Sequence, residues 1–127
     1  MNGVNNVIII GNVGNVSDVI QVSDNAKLVS IAVATTEHFV NTNKDKKSNT
    51  QWHTIVLWNS MSDLINIIEK GDLIYVEGRL NYRIKTSENK TEKYTEIVAK
   101  TIRVLRKGHT NKEEIKLNND ENDYYFQ

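Results

Sequence analysis

Two tryptophans stand six residues apart in Gln51-Trp52-His53-Thr54-Ile55-Val56-Leu57-Trp58. On an extended strand that even spacing puts Trp52 and Trp58 on one face with Thr54 and Val56, and His53, Ile55 and Leu57 on the other. If the aliphatic set faces a core, both indoles point outward. An outward tryptophan presents a large apolar ring to water. Stacking on an unpaired base gives such a ring a use, worth roughly 1–3 kcal/mol per base. The plainer reading is that one or both indoles cap the end of a barrel. Phe39, in Glu37-His38-Phe39-Val40, is either a third stacking surface or an ordinary anchor at the base of a loop.

A second pattern is cationic. Between residues 72 and 86, one face of a strand would carry Leu73, Tyr75, Glu77, Arg79, Asn81, Arg83 and Lys85. The opposite face would carry Ile74, Val76, Gly78, Leu80, Tyr82 and Ile84, and is expected in the core. Arg79, Arg83 and Lys85 could follow a phosphate backbone. They could equally be a solvated face that resists aggregation. Residues 41–49 read as an exposed loop, and its Lys44, Lys46 and Lys47 either attract phosphates or keep the loop soluble.

Catalytic chemistry finds no support. There is no cysteine, so disulfides and thiolate metal sites are excluded. The histidines at positions 38, 53 and 109 lack metal-ligand spacing. No serine or threonine sits in a nucleophile motif. Gly11 and Gly14 fit neither a phosphate-binding loop nor a dinucleotide fingerprint, and suit a bend or bulge in a curved strand. Neither an enzyme nor a cofactor is expected. The amino terminus lacks the pattern of a secretion signal, and the longest apolar run, residues 7–10, is too short for a bilayer. A soluble cytoplasmic protein is expected, with an organelle as the alternative, and no membrane partner.

The formal net charge is zero, but its distribution is uneven. Residues 1–108 hold 14 Lys/Arg against 11 Asp/Glu, whereas residues 109–127 hold 2 against 5. A mildly basic body therefore precedes an acidic tail. Strands are expected over residues 4–10, 27–35, 51–58, 72–86 and 93–105. A helix is expected after Ser60, with a capping box to Asp63, an apolar stripe of Met61, Leu64, Ile65 and Ile68, and a stop at Gly71. This order is the layout of an all-β fold class, a five-stranded oligonucleotide-binding (OB) barrel with one helix between the third and fourth strands, although other small α+β folds share the same count. The domain is expected over residues 1–107 and a disordered acidic tail over residues 108–127. In that tail Asp120, Glu121, Asp123, Tyr125 and Phe126 read as a short docking peptide or as an end without a role.

Four segments together resemble the bacterial single-stranded-DNA-binding protein family, also found in mitochondria and plastids. They are residues 4–14, 31–37, 51–58 and 70–80, in order and at family spacing. The resemblance implies a homotetramer of OB folds with single-stranded DNA wrapped over it during replication, repair and recombination. It assigns stacking to Phe39, Trp52 and Trp58, and subunit contacts to Asn5 and His53. It also implies recruitment of replication and repair proteins through the tail. This chain departs from the family at Lys85, where an aromatic is usual, at Asn6, Thr54 and Asn81, often basic in the family, and in its short, proline-free tail. A primosome accessory protein of the same fold, acting as a dimer, is the alternative.

Overall fold

The computed structural model describes residues 2–108. In chain order the elements are β1 (Val7–Val16), β2 (Ile20–Ser23), β3 (Ala26–Val40), β4 (Lys46–Trp58), a 3-10 helix (Asn59–Asn66), β5 (Leu73–Ser87) and β6 (Lys90–Arg106). β1 pairs antiparallel with both β5 and β3, β5 pairs with β6, β6 runs parallel to β4, and β4 pairs with β3. These pairings form a closed ring of five strands, the expected OB barrel. β2 lies outside the ring as a short hairpin partner of β3.

Alternation on each strand builds the interior. Val29, Ile31 and Val33 of β3, Ile55 and Leu57 of β4, and Ile74 and Val76 of β5 are buried together. Closure requires β1 to bend between two neighbours. The bend is a register shift between Val13 and Val16 against β3. Close approach comes from Gly11, where a Cβ would lie 2.3 Å from the Ala34 carbonyl oxygen. The expected bend or bulge thus falls at Gly14, inside the register shift, whereas Gly11 serves the close approach of β1 to β3.

The segment after β4 departs from expectation. Its apolar stripe does pack on the core, with Ile68 buried and Met61, Leu64 and Ile65 partly so. The helix is a 3-10 helix, however, and the Ser60–Asp63 capping box does not form. Trp58 takes the cap position, and Asn59 adopts a positive φ of 54°. Asp63 instead pairs with Lys27 Nζ at 2.9 Å, and Asn59 Oδ1 accepts from the Lys27 amide at 3.2 Å. A tertiary ion pair thus holds the carboxylate that the local capping box would have used.

Gly71, with φ +94°, turns the chain into β5. Beside it, fully buried Asp72 accepts from the Glu69 amide (2.9 Å), the Gly108 amide (2.8 Å) and Lys107 Nζ (2.7 Å). Lys107 Nζ also donates to the Ile67 carbonyl. Burial pushes the Asp72 pKa up, but the bonds from Lys107, Gly108 and Glu69 outweigh it and hold the carboxyl below its ordinary range. This clasp ties the end of β6 to the turn before β5, and it includes Gly108, one residue beyond the expected domain boundary.

Both long hairpins run past the barrel. β3 and β4 pair without interruption to Val40↔Lys46, so the loop is only residues 41–45, and Lys46 and Lys47 are strand residues. β5 and β6 pair to Ser87↔Lys90, leaving two residues for the turn. Tyr82 and Ile84, expected in the core, are 57% and 66% exposed. They lie on the face that is interior lower down, but in the part of the hairpin beyond Gly78, where the β1 pairing has ended.

Candidate nucleic-acid interface

Trp52 is on the outer face of the barrel, opposite Ala34 of β3, and is 63% exposed. The far edge of its indole nonetheless sits against Gly14 of β1. A Cβ at Gly14 would lie 2.6 Å from Trp52 Cζ3 and 2.9 Å from Cη2. β1 is two strands away from β4, and neighbouring strands are about 4.8 Å apart. The indole can reach that far only by lying down across β3. Ala34 on β3 and Gly14 on β1 are small enough to let it. The result is an aromatic plate that reaches along the sheet to β1 and stays largely open to solvent.

Trp58 shares that face by the two-residue period, but it is only half-exposed. It pairs with Leu28 and caps the 3-10 helix. Between the two, Val56 is buried. Trp52 is therefore the open platform, and Trp58 has a structural task as well. Phe39 pairs with Lys47 in the same unbroken register. Phe39 is five positions beyond Ala34, an odd step, so it projects from the opposite side of the β3–β4 ribbon to Trp52. It is 47% exposed, more than a loop anchor would be. Lys44 occupies a tight turn with φ 65°, where Asn41 Oδ1 accepts from the amides of Asn43 and Asp45.

The cationic row of β5 is also as the period places it, but the pairing strand alters its charge. Arg83 Nε lies 3.4 Å from Glu96 Oε2, and Asn81 Nδ2 donates to the other oxygen of that buried carboxylate at 3.2 Å. Lys85 stands opposite Glu92. Arg79 stands opposite Val98. Two carboxylates therefore share the face with the three cations. The Arg83 guanidinium also lies over the Tyr94 ring, 4.7 Å from its centroid. Tyr94 donates its hydroxyl to Glu92, and that bond, with some burial, raises its pKa above the ordinary value. On the other side of the hairpin, Lys93 lies 4.5 Å from the Tyr82 ring centroid. The sequence reading missed both stacks. Their signal was present as Tyr/Lys/Arg alternation on each strand, but only the cross-strand register joins the partners.

The single-strand binding protein family model matches residues 4–105. The chain belongs to that family. It is 32% identical to single-stranded DNA-binding protein 1 of Xylella fastidiosa, over 98% of both chains. It is 35% identical to single-stranded DNA-binding protein 1 of Chlorobaculum tepidum, over 81% of this chain and 65% of that one. Among solved structures, the barrel resembles the Plasmodium falciparum SSB complex with ssDNA, with a TM-score of 0.69. That likeness is at 24% identity over 83% of this chain and 97% of that one, and it concerns the fold. Membership in a family of binding proteins agrees with the expectation of no catalysis. Among the described residues no group of three or more His, Cys, Asp or Glu could hold a metal ion, and no helix is long and apolar enough to cross a membrane.

The two residues to which the family resemblance assigns subunit contacts make contacts within the chain. The Asn5 side-chain amide donates to the Leu80 carbonyl at 2.8 Å and accepts from the Leu80 amide at 2.9 Å. It thereby imitates a peptide group and extends the β1–β5 ladder beyond Val7↔Gly78. His53 Nε2 lies 2.8 Å from Thr35 Oγ1, and burial lowers its pKa from the usual 6.5. Asp120, Glu121, Asp123, Tyr125 and Phe126 lie outside the described residues.

Proposed function

We propose that this chain binds single-stranded DNA without marked sequence selection, by stacking bases on exposed aromatics and following phosphates with nearby cations. The observation that carries the reading is the indole of Trp52, reaching along the barrel wall to Gly14 at 63% exposure in a chain of this family. An apolar plate kept open in water has a stability cost, and a flat aromatic ligand removes it. In this reading Lys47, opposite Phe39, and Arg79 on β5 meet the phosphates. The role extends to protecting transient single strands in replication, repair and recombination, in the cytoplasm or an organelle.

The working form in this proposal is a homotetramer. Support comes from the outer face of β1, where Ile8 and Ile10 are 56% and 52% exposed, beside partly covered Tyr75 of β5. Alternate large aliphatic side chains on an outer strand face suit contact with another copy. Recruitment of replication and repair proteins through the tail belongs to the same proposal.

The test is titration of oligo-dT at several salt concentrations beside a duplex control. Tryptophan emission should quench on binding, and affinity should fall steeply with salt. Equal affinity for the duplex, or no binding, refutes the function. Light scattering should give about four times the 14.5 kDa chain mass. Twice that mass would favour the dimeric accessory protein.

A further inference from the structure

Next to the Trp52 plate, the outer wall of the barrel contains an open pocket of about 180 Å³. Its polar lining comes from Asn15 and Ser17 at the end of β1, Ser30 on β3 and Thr54 on β4, with Ala32 among its apolar residues. No charged side chain lines it. Ser17 is committed to the fold: its hydroxyl donates to the Asp18 carbonyl and accepts from the Ser30 amide. The side chains of Asn15 and Thr54 have no hydrogen-bond partner among the described residues. Both are exposed at the pocket mouth.

Position makes the pocket notable. Trp52 pairs with Ala34, and Thr54 pairs with Ala32, so the two sites are one same-face step apart along β4. That step is about 7 Å. Gly14, which receives the edge of the indole, directly precedes Asn15. A nucleotide strand with one base on the Trp52 plate would carry its neighbouring base to this pocket. The lining is neutral and can both donate and accept, because an amide offers NH and CO and a hydroxyl can do either. Such a lining suits the edge of a base better than a phosphate, which would call for cations or a cluster of amide NH groups.

We infer that the pocket of Asn15, Ser30 and Thr54 is a nucleobase-edge subsite, which takes the base next to the one stacked on Trp52. The inference rests on the single-stranded-DNA reading above. The subsite adds affinity that salt does not screen, because no ion is displaced when two neutral groups hydrogen-bond. Since every base edge presents both donors and acceptors, an adaptable amide and hydroxyl reward the presence of a base without demanding one kind.

The experiment compares the full chain with Thr54→Val, which keeps the side-chain shape and removes the hydroxyl, and with Asn15→Ala. Thr54→Ser restores the hydroxyl. Each is titrated with oligo-dT and with an abasic strand of equal length, across a salt series. Each loss variant should bind oligo-dT about 3- to 10-fold more weakly, the worth of one neutral hydrogen bond. The slope of log affinity against log salt should not change, and Thr54→Ser should recover most of the loss. On the abasic strand the variants should match the unaltered chain. Unchanged affinity for oligo-dT overturns the subsite. So does an equal loss on the abasic strand, or a reduced salt slope, since either places the contact on the sugar-phosphate backbone. If the unaltered chain fails to bind oligo-dT at all, the functional reading itself has failed.

Discussion

Gly14→Ala tests whether the Trp52 plate is built by its neighbours. The new Cβ would lie 2.6 Å from Cζ3 and 2.9 Å from Cη2 of the indole. Carbon atoms prefer about 3.5–4.0 Å, so the far edge of the ring must retreat by about 1 Å. The nearest backbone atom, the Ala32 carbonyl oxygen, is 3.5 Å away and need not move. Gly14 is not among the residues with positive φ, so alanine brings no backbone strain. Stability should hold, or rise by about 0.4–1 kcal/mol because the unfolded chain loses freedom. A base stacked on the plate contributes roughly 1–3 kcal/mol. A gap of 0.5–1 Å forfeits about a quarter to a half of a dispersion contact. The product is a loss of roughly 0.3–1.5 kcal/mol, or about 2- to 12-fold in affinity. Thermal melting and oligo-dT titration at one salt concentration read the two quantities separately. Gly11→Ala is the contrast: its Cβ would meet the Ala34 carbonyl at 2.3 Å, and that backbone cannot step aside. This variant should lose stability at the β1–β3 seam. If Gly14→Ala unfolds the barrel, or binds oligo-dT with undiminished affinity, the account of the plate is wrong.

Further outcomes follow from the same geometry. Trp52→Ala should cost roughly 1–3 kcal/mol of DNA affinity with the melting temperature preserved. Trp58→Ala should cost stability as well, since that ring is half-buried at the helix cap, and equal thermal behaviour of the two variants would refute the distinction. Lys107→Met removes one bond from buried Asp72 and should destabilise the barrel by roughly 1–3 kcal/mol. Because the folded Asp72 pKa lies below its unfolded value, the clasp adds stability above that unfolded value and loses it as pH falls through the folded one. The contribution should therefore persist at neutral pH, and a chain ending after Gly108 should melt higher than one ending after Arg106. Burial disfavours the charged imidazole and lowers the folded pKa of His53 below 6.5. Its contribution should be complete above pH 6.5 and decline as the solution is acidified below that value, and His53→Gln should flatten this part of the melting profile.

The residues themselves determined much of this protein. Two-residue alternation in β3, β4 and the first half of β5 placed the core, because a strand offers only two faces and the aliphatic set must take the dry one. The same parity put Trp52 on the outside, and the spacing of the segments carried the family resemblance and with it the barrel. Alternation cannot say how far a strand continues past the layer that covers it. Tyr82 and Ile84 therefore keep the pattern of core residues while standing in water, and Lys46 and Lys47 belong to a strand that polarity alone would have ended. Nor can one strand report the charges on its neighbour. Glu92 and Glu96 temper the β5 cations only because the hairpin register sets them opposite. The Ser60–Asp63 capping signal lost to Lys27, which stands more than thirty positions away and takes the Asp63 carboxylate. The plate and the pocket beside it exist only in three dimensions. Gly14, Ala34 and Trp52 come from three strands, and what makes them one surface is the closure of β1 onto β3, a contact that no local pattern encodes.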